Sequence, residues 1–200
     1  MLAPTGEDPG RDTPWPAHRR RSSSTHVVAI GAGDVDAFTA AAVLVDVHSR
    51  GSVRLRSADP TWAPAVDAGY LTDDRDLDAL VRGVEIAREI ASSGPLAAVL
   101  AEEWSPGGVA HTRDGLRRAV RDSLESLYHP VSSCRMGTDD DAVVDAQLRV
   151  HGVDGLRVVD ASVMPTLVRG NTNAPTMMLA ERAADLMAGR AVDPALATTA

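Results

Sequence analysis

TRDGLRRAVRDSLESLYHPVSSCRMG, residues 112–137, holds the change of pattern that decides the fold. Thr112 and Asp114 supply a helix cap and a first-turn acid, and Leu116, Ala119, Val120, Leu124 and Leu127 then recur at helical spacing. The helix predicted there delivers the chain to Tyr128-His129-Pro130, a segment bounded by Pro and Gly whose conformation is fixed by backbone geometry, not by side-chain packing. Downstream, Val143 to Val150 and Leu156 to Val159 read as short strands joined through Gly152 and Gly155. Asn173-Ala174-Pro175-Thr176 opens a last helix with Leu179, Ala183, Leu186 and Met187 as its inner stripe. Upstream, Thr72-Asp73-Asp74 caps a helix whose apolar positions Leu77, Leu80, Val81, Val84 and Ala87 run through Ile90, with Gly94-Pro95 as its stop. Val27 to Ile30, Phe38 to Val47 and Val53 to Arg56 read as strands, and Asp59 to Pro64 as extended loop.

Strands that precede or alternate with helices of unequal length predict an α+β architecture, a mixed or antiparallel sheet with packed helices. Residues 1–25 differ from the rest. Pro4, Pro9, Pro14 and Pro16 with Gly6, Gly10 and an Arg triplet cannot offset ordering entropy, so a flexible tail is expected over 1–25 and one domain over 26–200.

Composition closes several routes. The net charge is −8, which opposes the basic field that phosphate neutralisation needs, so no nucleic-acid partner is expected. Aromatic residues make up 3% of the chain, too few for a base-stacking platform. No run approaches the roughly 18 apolar residues of a membrane span. Cys134 is the single cysteine and can form neither an internal disulfide nor a multi-thiol zinc site, which makes a reducing, cytoplasmic setting the default. Arg19-Arg20-Arg21 lacks a sustained apolar region after it and does not make an export signal.

Four constellations invite chemistry. Gly31-Ala32-Gly33 follows an apolar run, but Asp36 stands where the dinucleotide fingerprint needs its third glycine, so an ordinary loop between strands is expected. Ser132, Ser133 and Cys134 near His129 lack the Gly-x-Ser-x-Gly elbow of a hydrolase nucleophile. Asp139-Asp140-Asp141 lacks calcium-loop spacing and reads as a solvated turn, so no metal site is expected. The fourth constellation pairs His129, on its Gly- and Pro-bounded segment, with Asn171-Thr172-Asn173 at the start of a helix. Turns of that kind position polar groups.

The strings HPVSSCRMG (129–137), VVDAQLRVHGVDGLRVVDASVMPT (143–166) and GNTNAPTMMLAERAADLMAG (170–189) together closely resemble the C-terminal signature of the glucose-methanol-choline (GMC) family of FAD-dependent oxidoreductases. His48 to Leu55, Ser57 to Pro60 and Ala68 to Leu71 are similar to that family's substrate domain, so the likeness runs from about His26 to Gly189. The resemblance implies an enzyme acting on the CH–OH group of a small-molecule alcohol with FAD as cofactor. It implies His129 as the histidine that takes the substrate hydroxyl proton and Asn171 as the partner that hydrogen-bonds the same oxygen. It also places Asp160 and Ala161 close to the flavin, and Asn173, Ala174, Pro175 and Thr176 along its pyrimidine edge. Elementary chemistry agrees with these roles. An alkoxide releases hydride more readily than an alcohol, and imidazole is the side chain that titrates near neutral pH. A helix start presents N–H groups and a positive dipole end to the negative charge of reduced flavin, and Gly170 and Pro175 suit close approach.

The family's N-terminal strand, G-x-G-x-x-G turn and helix, which bind the ADP half of FAD, have no counterpart here. An incomplete flavin domain is therefore expected, inactive alone and completed by a separate FAD-binding polypeptide. The strand at Gly155 to Asp160 then lacks neighbours, and exposed apolar edges favour association. The alternative is a non-catalytic binding or assembly module, or a gene fragment that retains the fold.

Overall fold

The computed structural model describes residues 27–32, 36–100 and 102–190. The tail expected over 1–25, and Gly33, lie outside them. Strand β1 (Val27–Ala32) runs antiparallel to β2 (Asp36–Ala41), with Val28 opposite Ala40 and Gly31 opposite Ala37. Strand β5 (Glu102–Ser105) pairs antiparallel with the other side of β1, giving the order β2-β1-β5. Strands β3 (Ser52–Arg54) and β4 (Ala65–Asp67) form a separate antiparallel pair, with Val53 opposite Val66. Sheets and helices together give an α+β fold, and the described pairings between strands are antiparallel. The element described after β1 is a strand and not a helix, and Gly31 and Ala32 lie within β1, so no dinucleotide-type strand–turn–helix forms there among the described residues.

Helix α1 (Asp74–Ala91) starts where the sequence places it. Asp73 accepts the Arg75 backbone N–H at 2.9 Å, and its carboxyl is held below the usual carboxylate range by hydrogen bonds from the Arg75 side chain and backbone. Leu77, Leu80, Val81, Val84, Ala87 and Ala91 are buried on one face and meet Leu116 and Val120 of α3 (Arg113–Ser123) with Ala110. Arg117 of α3 binds Asp74 at 2.8 Å and also Asp78, which staples the polar rims of the two helices. Against the sheet side, a Cβ on Gly83 would stand 2.6 Å from the Ala42 Cβ, so glycine is what lets that segment lie on α1. A second core gathers Val144, Leu148, Val163 and Ala183, the last from α4 (Asn173–Met187).

Several expected elements differ. The strand predicted over 38–47 ends at Ala41; Leu44 still packs on the α1 core while Val43 and Val45 stay exposed, so alternation continues without a sheet partner. Residues 143–150 and 156–159 make single bridges, Val144 to Val150 and Arg149 to Arg157, in place of strands. Leu148, Gly152 and Gly155 all take positive φ there, and each folds the chain back before a ladder can grow. Helix α3 stops at Ser123 because Leu124 is extended (ψ 133°), though Leu124 still reaches the core. Gly94-Pro95 does not merely end a helix: α1 stops at Ala91, and Pro95 opens the short α2 (Gly94–Ala97). Met187 is 61% exposed and does not belong to the inner stripe of α4, whereas Ala183 is fully buried.

Candidate functional site

The segment 128–137 is held by main-chain hydrogen bonds, as a Pro- and Gly-bounded stretch must be. Cys134 donates to the Ser162 carbonyl at 3.0 Å and Met136 to the Val163 carbonyl at 2.9 Å, while the Ser132 hydroxyl donates to the Met164 carbonyl at 2.8 Å. These rungs stitch the loop to a 3₁₀ turn at Ala161–Val163, whose start is capped by Asp160, the carboxylate accepting the Ser162 N–H at 2.7 Å. Helix α4 packs against the same turn. The loop after His129, the Asp160 turn and the start of α4 therefore form one unit.

His129 is half-buried, and its Nδ1 lies 3.1 Å from the Thr172 Oγ1. Thr172 precedes α4 directly and follows Asn171, so the imidazole is anchored one residue from the asparagine that the resemblance pairs with it. Asn171, Asn173 and Ala174 are exposed, and Ala161, Pro175 and Thr176 are half-buried. The Thr176 hydroxyl turns back to the Thr172 carbonyl at 2.7 Å. No side chain caps α4, so its first N–H groups are left open toward the exposed Asn173 and Ala174. Gly170 is uncrowded, its nearest neighbour for an added Cβ being the Val168 carbonyl oxygen at 3.9 Å.

The rival constellations separate from this unit. Ser132 uses its hydroxyl on a carbonyl and His129 turns to Thr172, so no hydroxyl–imidazole nucleophile pair forms between them. Asp139 binds Arg135 and the Asp141 N–H; the Arg135 hydrogen bond is the main reason its carboxyl is pulled down to about 2. Among the described residues no group of three His, Cys, Asp or Glu side chains is placed to hold a metal, and no helix is long and apolar enough to cross a membrane. An open polar groove of about 220 Å³ between Asp145, Arg149, His151 and Asp154 contains none of the candidate residues.

Sequence reasoning misses two residues of consequence. Thr172 takes no role of its own between two asparagines, although a threonine just before a helix with proline in its first turn is a signal. Asp76 reads like one more first-turn acid, yet it is 1% exposed and accepts the backbone N–H groups of His48 and Ser49.

Comparison with known proteins bears on the same residues. A family model described as GMC oxidoreductase, for the C-terminal part of that family, matches residues 47–180. The oxygen-dependent choline dehydrogenase of Pseudomonas fluorescens is 46% identical over 142 residues, 71% of this chain and 25% of that protein. The alcohol dehydrogenase [acceptor] of Pseudomonas putida is 44% identical over 147 residues, 74% of this chain and 26% of that protein. The crystal structure of pyridoxine 4-oxidase from Mesorbium loti superposes with a TM-score of 0.66 at 34% identity, covering 74% of this chain and 29% of that one. The chain thus spans about a quarter of the length of the relatives it matches. With the family model covering most of the chain and the signature segments folded into one unit, this protein belongs to the GMC oxidoreductase family.

Proposed function

We propose that this chain provides the C-terminal, substrate-side part of an FAD-dependent oxidoreductase acting on the CH–OH group of a small alcohol, with His129 taking the hydroxyl proton and Asn171 holding the same oxygen. One observation carries the reading: His129 is anchored by Thr172, next to Asn171, at the uncapped start of α4. FAD is the group named for solved relatives of this chain, including a formate oxidase from Aspergillus oryzae. The residues present fit it. Open N–H groups and a positive dipole end suit an electron-rich ring edge, and none of the described residues crowds Gly170. Asn173, Ala174, Pro175 and Thr176 would hold that edge, with Asp160 and Ala161 nearby.

When bound, the flavin supplies the hydride acceptor. The protein's share is to make hydride departure easier. Thr172 occupies Nδ1 of His129, which leaves Nε2 to remove the hydroxyl proton, and Asn171 steadies the oxygen that gains negative charge.

The rest of the flavin site is proposed to come from an FAD-binding polypeptide. Support for this lies in what the chain leaves uncovered. Met177 and Met178 on α4 are 62% and 59% exposed, and Val53, Val66 and Leu55 of the β3–β4 region are exposed as well. Ser162 Oγ and Arg182 Nη1 are buried without a hydrogen-bond partner among the described residues.

The test is His129→Ala in enzyme reconstituted from this chain and an FAD-binding part. Turnover is expected to fall about 100-fold or more with flavin absorbance retained, and unchanged turnover rejects the role. A visible spectrum of this chain mixed with FAD alone is expected to show no retained flavin; a retained flavin would remove the need for the second polypeptide.

A further inference from the structure

We propose that Thr172 is a positioning residue whose hydroxyl accepts the Nδ1–H of His129, holding the neutral imidazole with its free lone pair on Nε2. The tautomer is inferred from the assignment of His129 as the base, because a ring with its proton on Nε2 has no lone pair there to take one.

The reason that Thr172 is free to do this is local and comes from Pro175. A threonine just before a helix ordinarily accepts the N–H of the third helical residue. Thr112 does so at α3, with extended backbone (φ −98°, ψ 156°) and the Gly115 N–H on its Oγ1 at 3.1 Å. At α4 the corresponding third residue is Pro175, which has no N–H. Thr172 accordingly has helical backbone (φ −84°, ψ −8°) and makes no capping bond, so its hydroxyl is released toward the histidine. The same residue type at the head of two helices thus does two different things, and the difference is one proline.

The hydroxyl is also held in place. The Thr172 carbonyl accepts both the Thr176 N–H at 2.9 Å and the Thr176 hydroxyl at 2.7 Å, which fixes the backbone beneath it. Thr172 is 9% exposed, so water competes little for its oxygen. Its β-branch restricts χ1, so few rotamers are open to the hydroxyl.

The tautomer can be read without turnover, by long-range proton–nitrogen NMR of the ¹⁵N-labelled full chain at mildly alkaline pH, where imidazoles are neutral. Signals of His129 are assigned by their loss in His129→Ala. A free neutral imidazole favours the proton on Nε2; His129 is expected to show the reverse, a majority of Nδ1–H. Thr172→Ser is expected to keep that majority and Thr172→Val, of similar shape without the hydroxyl, to return the ring to an Nε2–H majority. An Nε2–H majority in the unsubstituted chain overturns the proposal, and so does a Thr172→Val spectrum identical to it with the backbone amide spectrum intact. Failure of the base assignment is seen separately, as unchanged turnover of His129→Ala in the reconstituted enzyme.

Discussion

The Asp76 carboxylate accepts the backbone N–H of Ser49 at 2.7 Å. It also takes the His48 N–H at 2.9 Å, so one buried group on α1 ends the sheet-side segment and turns it toward β3. Burial opposes its ionisation, but hydrogen bonds from Ser49 and His48 outweigh that and hold its pKa below the ordinary value. A depressed folded pKa gives stability that is complete above the unfolded value of about 3.9 and is lost as pH falls through the folded value. Asp76→Ala, which takes the charged acceptor from two partly buried backbone N–H groups, is expected to cost about 3 kcal/mol at neutral pH. The gap to the unsubstituted chain should narrow on acidification below about pH 4. Urea denaturation midpoints across pH check this, and a gap that does not change with pH contradicts it.

Arg135 and Asp139 make the second acid-sensitive contact. Asp139 lies at about 2 because of the Arg135 hydrogen bond, so the pair is intact above the ordinary value of 3.8 and lost between there and about 2. Arg135→Met is expected to raise the Asp139 pKa toward 3.8, read by carboxyl-carbon NMR. Asp139 is exposed and Arg135 half-buried, so the pair is open to solvent on its carboxylate side and the thermal midpoint at neutral pH should barely move.

Val144 is fully buried at the centre of the second core, against Leu148, Val163 and Ala183. Val144→Ala removes two carbons and leaves a void, a loss of about 2 kcal/mol. Ile90 on the outer face of α1 is 53% exposed. Ile90→Ala is expected to stay within about 0.5 kcal/mol. Equal losses in the two variants would mean that the 144–183 cluster is not an independent source of stability.

Met177 and Met178 point away from both cores. Replacing both with Gln is expected to leave the thermal midpoint of this chain in place while lowering flavin recovery on mixing with an FAD-binding part. Full recovery would show that the exposed face of α4 is not one that an FAD-binding part covers.

Periodicity is enough to place α1. Its apolar positions repeat at helical spacing over eighteen residues, and its cap Asp73 is local chemistry. It is not enough for β5, whose residues Glu102 to Ser105 carry no alternating apolar pattern and become a strand only because β1 offers an open edge. It misjudges 143–159 because apolar runs there resemble strands, whereas positive φ at Leu148, Gly152 and Gly155 breaks the ladder into single bridges.

For the site, the sequence by itself determined the family and the loop that carries His129, since both come from residue identities in order. It also determined that Pro175 cannot donate to a cap. Only the tertiary structure decided that Thr172, forty-three positions from His129 in the chain, is the group its imidazole meets. Sequence patterns report neighbours along one element; a contact across two loops depends on how both are pinned to the turn between them, here through the Ser162 and Val163 carbonyls. The same holds for Asp76, whose burial depends on a segment that reaches α1 from the other side of a turn.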